Sequence, residues 1–202
     1  MRCVRAGDDT GQSLPLYIWL TTILLFAGLA FFAFAQAASA RNGAQTAADA
    51  AALGAAQSAR DDLVNGLLLA LQDGDDWLRW LDGDGDLGVG APSAAQALAA
   101  ENGATVTAGP QATSVRGFPA FRVAVQMAST VGDSVIPGTE GMRAKATATA
   151  VIEPRCAFDA DAKPDEAVEL DCDGQTVTID PQDFEPDDLP DGSDLFSVYL
   201  AE

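Results

Sequence analysis

The chain has 202 residues, with 30 carboxylates against 11 lysines and arginines, a formal charge of −19 and no histidine, and it has room for one ordinary domain plus an attached helix. The charge excludes nucleic acid as a partner, because a phosphate backbone needs a basic surface. The lack of histidine removes the commonest general acid and base, the usual catalytic triads and most zinc sites.

Arg2, Cys3, Arg5, Asp8 and Asp9 precede a stretch, Thr10 to Ala40, in which no side chain is charged. Within it Leu14–Phe34 (LPLYIWLTTILLFAGLAFFAF) is almost continuously apolar. At about 1.5 Å per residue this run reaches roughly 30 Å, the thickness of a bilayer's hydrocarbon core. Tyr17 and Trp19 lie near one end, where an aromatic belt is expected, and Pro15 falls in the first turn, where its missing N–H costs nothing. A cleaved leader ending at Ala38-Ser39-Ala40 is the competing reading. The length of the apolar run and the acidic Asp8 and Asp9 ahead of it favour an uncleaved anchor. Arg2 and Arg5 place the N-terminus in the cytoplasm and the acidic bulk outside, with Arg41 weakening that asymmetry.

Between Phe34 and Arg60 there is no proline, and only Gly43 and Gly54 weaken a helix. Ala44, Ala47, Ala48, Ala51 and Ala55 recur at spacings of three and four, so they line one narrow helical face. Such a stripe gains little from area burial but lets another backbone come close. It either lies on the protein's own domain or forms a packing seam for neighbouring copies. From Asp61 to Gln72 the apolar residues become large (Leu63, Val64, Leu67, Leu68, Leu71) at helical spacing, predicting a face that packs on a soluble domain. QDGDD and LDGDGDLG mark turns. The second has Asp82, Asp84 and Asp86 at alternate positions, as a calcium loop does. Leu87 stands where that loop needs glycine and Ser93 where it needs glutamate, so a solvated turn is the better reading.

From Ala104 the period changes from helical to two. ATVTA, FRVAVQMAST (Phe121, Val123, Val125 and Met127 on one face) and RAKATATAVIE (Ala144, Ala146, Ala148 and Ala150 alternating with Lys145, Thr147 and Thr149) read as strands, the last two joined by TVGDSVIPGTEGM. Cys156 and Cys172 would close a loop of roughly 15 residues worth about 3 kcal/mol, and they are predicted to pair if they lie outside the membrane while Cys3 stays reduced. QTVTI, Gln175 to Ile179, is a further strand. From Cys156 to Glu202 there are 15 carboxylates against Lys163 alone, which predicts a solvated acidic face. PQDFEPDDLPDGSD is expected as loop or disordered chain, and the apolar LFSVYLA after it is a candidate to dock back.

No catalytic, cofactor-binding or metal-ligating constellation emerges. Without histidine an enzyme would need a carboxylate pair, a serine with lysine, or an activated cysteine. The carboxylates sit in turns and the acidic tail, the lysines number two (Lys145 and Lys163), and the glycines stand singly rather than in a phosphate-cradling loop. The expectation is a protein that is not an enzyme and needs no cofactor.

The segment DDTGQSLPLYIWLTTILLFAGLAFFAFAQAASARNGAQTAADAAALGAAQ, Asp8 to Gln57, resembles the N-terminal region of the TadE/TadG-like proteins of the Flp (tight adherence) pilus system. Gly11 ahead of the apolar run and AADAAAL, Ala47 to Leu53, carry the resemblance, with RAKATATAVIEP (Arg143 to Pro154) similar in kind. The resemblance implies an α+β, pilin-like protein: a long transmembrane helix continuing into an Ala-rich helix, followed by a small antiparallel β-sheet head. Its partners would be the membrane and other pilus-assembly or pilin-like proteins met through the N-terminal helix, with homo-oligomers a further expectation. Gly11 corresponds to a prepilin processing point, but Leu16 stands where cleaved prepilins have glutamate, although Tyr17 matches. The von Willebrand-type domain of longer family members is absent, since no D-x-S-x-S motif occurs. The expected layout is a cytoplasmic N-terminus at 1–13, a transmembrane helix at 14–38, an Ala-rich and amphipathic extension at 39–72, acidic turns and a short helix at 73–103, a β-rich extracytoplasmic head at 104–180 and an acidic Pro-rich tail at 181–202. The expected role is structural, in pilus assembly or secretion; the alternative is an acidic extracytoplasmic binding module merely tethered by the helix.

Overall fold

The computed structural model describes residues 13–130 and 141–201; Gly11, Cys3, the N-terminal arginines and most of the TVGDSVIPGTEGM connector lie outside the described residues. The first element, α1, is one unbroken helix, Ser13–Asp73, of 61 residues, about 90 Å long at 1.5 Å per residue. Continuity follows from composition: after Pro15 the next proline is Pro92, and alanine, the best helix former, dominates the middle. Thr21 and Thr22, the two threonines within the apolar half, bond their hydroxyls back to the carbonyls of Tyr17 and Ile18 at 2.7–3.0 Å, so neither needs water. The helix ends at Gly74, whose φ of 70° is the left-handed conformation glycine supplies at a C-terminal cap. Asp75 N–H returns there to the Ala70 carbonyl at 2.9 Å.

The head wraps the second half of this helix. It contains α2 (Leu78–Leu81), α3 (Ala91–Glu101), β1 (Ala104–Val115), β2 (Phe118–Met127), β3 (Lys145–Pro154), β4 (Cys156–Ala157), β5 (Val168–Cys172), β6 (Gln175–Ile179), α4 (Gly192–Leu195) and β7 (Phe196–Leu200). Four strands form a sheet in the order β1-β2-β3-β7, and three form a second in the order β4-β5-β6; every pairing is antiparallel. Two-residue turns close two hairpins: Arg116-Gly117 between β1 and β2 and Asp173-Gly174 between β5 and β6, all four residues with positive φ, as the twist of paired strands requires. The arrangement is α+β, a long apolar N-terminal helix followed by a small antiparallel β domain.

Residues 181–202, read from the sequence as an acidic tail, carry exposed acidic chain only as far as Asp194. Leu195 and Phe196 are fully buried, and Phe196–Leu200 is the fourth strand of the main sheet, paired with β3. Two large apolar side chains entering the core outweigh the solvation of the acidic stretch before them.

Alanine on α1 meets small residues on α3. Ala91, Ala95 and Ala99, spaced four apart, are the buried positions of α3, and at Gly54 a Cβ would stand 2.6 Å from Leu98 Cδ1 and 3.2 Å from the Ala94 carbonyl oxygen. Glycine costs about 1 kcal/mol in a helix relative to alanine, but here it allows the two helices to touch. Gly54→Ala is therefore expected to destabilise the head by about 1–2 kcal/mol despite better helix propensity; a denaturant midpoint equal to or above the parent's would contradict the close crossing.

Candidate functional site

Since no catalytic cluster forms among the described residues, the candidate site is the helix and the surface its head presents. Leu14–Phe34 is exposed at every position but Ala33, and Phe26, Phe31 and Phe34 leave about three quarters of their surface uncovered. An apolar patch of this extent marks contact with a membrane or partner. This is one helix long and apolar enough to cross a bilayer. Ala35–Asn42 then forms a neck carrying Gln36, Ser39, Arg41 and Asn42, largely exposed, about 12 Å long at helical rise. The head begins at Gly43, which faces the Met127 side chain at the end of β2.

From Ala44 onward one face of the helix is covered by the head, while Gln45, Thr46, Gln57, Asp61 and Asn65 stay exposed on the other. Ala44, Ala47, Ala48, Ala51 and Ala55 are all fully buried, together with Ala52, Ala56 and Ala59; at about 100° per residue these span about half of the helix circumference. The stripe therefore meets its own head, chiefly α3 and the inner faces of β2 and β3, and is not open to a neighbouring copy. Burial reaches beyond the five alanines because α3 packs on α1 as well as the sheet. The spacing of Ala91, Ala95 and Ala99 was the signal for that second surface.

Farther along, Leu63, Leu67, Leu71, Trp77, Leu78 and Leu81 belong to the core at the far end of α1, with Val168, Leu170 and Ile179 of the second sheet. Trp77 is fully buried and its indole N–H donates to the Pro164 carbonyl at 2.9 Å, satisfying the one polar atom of the ring. Trp80 lies against Gly66 of α1 and Gly85 of the following turn, where any Cβ would strike its ring; the Arg79 guanidinium stands 5.1 Å from the ring centroid. An open groove of about 490 Å³ runs beside it, lined by Leu69, Ala70, Asp73, Asp75 and Asp76.

Asp82, Asp84 and Asp86 lie along the turn after α2. Ser93 is in the first turn of α3, its hydroxyl donating to the Gly90 carbonyl at 2.8 Å. The nearby Gly88 N–H donates to the Asp62 carboxylate of α1 at 2.9 Å, so the turn is tied to the long helix by a backbone-to-side-chain bond. Among the described residues no three carboxylates or thiols converge on a point that could hold a metal.

Cys156 and Cys172 face each other across β4 and β5 and are joined by a disulfide closing a separation of 16 residues. Beside it Arg155 bonds Asp173 through Nε at 2.7 Å and the Ser193 carbonyl through Nη1 at 2.7 Å, fastening the second sheet to α4. Charge is polarised along the head. Arg41 on the neck and Arg143 and Lys145 at the start of β3 lie at the end of the head nearest the apolar half of α1, while Asp73, Asp75, Asp76, Asp82, Asp84 and Asp86 lie toward the far end. On the outer face of the sheet Glu153 accepts from the Tyr199 phenol and raises its pKa; Lys163, salt-bridged to Glu166 at 2.7 Å, is likewise raised by that hydrogen bond and charge.

Residues 11–58 match the family model described as putative Flp pilus-assembly TadE/G-like. The match covers the apolar half of α1, the neck and the first buried turns, and ends inside the alanine-rich stretch. That family is a component of pilus assembly and not an enzyme family. No curated protein and no solved structure matches the chain.

Proposed function

We propose that this chain, with its TadE/G-like segment at 11–58, is a structural, pilin-like membrane component of an Flp-type pilus or secretion machine. In this reading α1 is a single-pass anchor, the N-terminus is cytoplasmic and the head stands on the extracytoplasmic side. The observation that carries it is the division of one continuous helix into a bare apolar half and a half whose alanine-lined face is buried against its own head. A protein built this way offers assembly partners a lipid-embedded helix and a rigid display domain.

Two arginines in the middle of the apolar half test the anchor. Each costs about 2.5–3.5 kcal/mol at the centre of a spanning helix, so Leu24→Arg with Leu25→Arg is expected to release the chain from the membrane fraction while the head keeps its melting transition. Retention of the double variant in carbonate-washed membranes would overturn the anchor. The assembly role is tested separately, by replacing Leu14–Phe34 with an unrelated spanning helix in a strain that depends on this chain for pili. Loss of piliation with the head intact at the surface supports an assembly role for the helix. Undiminished piliation favours an acidic binding module tethered by any helix.

A further inference from the structure

The main sheet has two outer edges, β1 and β7, and among the described residues neither has a strand partner on its far side. Natural proteins protect such edges with charge, proline or bulges. β1 is bulged between Val106 and Gln111, around Gly109-Pro110. Past the bulge, Gln111–Val115 is regular, and Gln111 to Ser114 are exposed. In a chain of net charge −19, neither Thr105–Val115 nor Phe196–Leu200 contains a charged residue. Two such acidic heads repel least where they are neutral.

Strand direction decides which edge meets which. Thr113 pairs with Ala120, Ala120 with Val151 and Val151 with Tyr199, so the free part of β1 and β7 share rows of the sheet and run in opposite directions. Copies anchored in one membrane by the same helix hold their heads in the same orientation. Two β1 edges would then meet parallel, whereas β1 of one copy and β7 of the next meet antiparallel, with the perpendicular hydrogen bonds that favour pairing. The ends also match in charge: exposed Arg116 follows β1, at the end of the edge where the next copy's β7 begins, two residues after exposed Asp194.

We propose that β1 of one copy adds to β7 of a second copy, extending the four-stranded sheet from head to head along the membrane. The contact is heterologous, so it repeats into a row or closes into a ring instead of stopping at a dimer. Four strands at about 4.8 Å set neighbouring α1 helices roughly 19 Å apart, wider than a helix diameter of about 10 Å, so the membrane halves need not touch.

The inference rests on the membrane reading above, and the test separates the two. The full chain carrying Cys3→Ser is reconstituted at low density in phosphatidylglycerol/phosphatidylcholine vesicles, with Ser197→Cys on β7 combined with Thr113→Cys or Ser114→Cys on β1. After mild oxidation at least one double variant is expected to give a ladder of dimers, trimers and larger species, each single variant remaining monomeric. Ladders absent from both double variants, with melting curves showing folded heads, overturn the contact; so do dimers from a β1 cysteine alone, which would place two β1 edges together. Failure of the parent to float with the vesicles overturns the anchor itself and the shared orientation with it.

Discussion

Replacing Trp77 with alanine is expected to cost the head about 3–5 kcal/mol, the range for truncating a buried aromatic, and to lower its melting temperature by on the order of 10 °C. Trp77 is fully enclosed and joins three pieces of chain: the end of α1, the α2 turn and, through its hydrogen bond to Pro164, the loop before β5. Alanine leaves a cavity and an unpaired carbonyl, whereas Trp77→Phe refills most of the volume and should recover more than half of the loss. Circular dichroism of the full chain in detergent reads both. A Trp77→Ala loss below about 1 kcal/mol would mean that the distal core does not depend on this ring.

Removing the disulfide has the next largest effect. The double change Cys156→Ser with Cys172→Ser frees a loop with a separation of 16 residues and should lower stability by about 3 kcal/mol on the chain-entropy model. The second sheet has strands of two, five and five residues, too few pairings to hold alone. Limited proteolysis of the double variant should therefore cut first between residues 157 and 180. First cleavage elsewhere, with residues 157–180 intact, would show that packing against Trp77 and the Arg155 bonds hold the sheet without the cross-link.

The long helix was legible because its causes are local: an uncharged run of bilayer length, no proline after Pro15, and alanines at three- and four-residue spacing. β1, β2, β3 and β6 were legible for the same reason, since residues such as Phe121, Val123 and Val125 alternate with Arg122 and Ala124 on a sheet with one buried face; β4 and β5 were not read, their alternation being short and set among acidic residues. What the alanine stripe meets was not legible, because small residues fit a neighbour's helix and a domain's own helix equally well. The structure settles it through α3, whose alanines repeat at the same spacing as those of α1. Gly54 shows the limit most plainly: in sequence it weakens a helix, and only the approach of Leu98 and Ala94 gives it a purpose. The final strand was hard to read because five uncharged residues follow a long acidic stretch, and their register with β3 depends on contacts far away in sequence.

An unbroken helix through the neck also fixes an angle. Ala35–Asn42 has no proline or glycine, so an intact helix does not let the head swivel independently of the apolar half, and the compass bearing of its sheet edges is set by the number of neck residues. One added residue would turn the head by about 100° and lift it by about 1.5 Å, while seven would return it to within about 20° of its original heading but roughly 10 Å higher. The neck thus acts as a keyed shaft: its length sets both the height of the head above the apolar half and the direction in which its edges point around the helix axis.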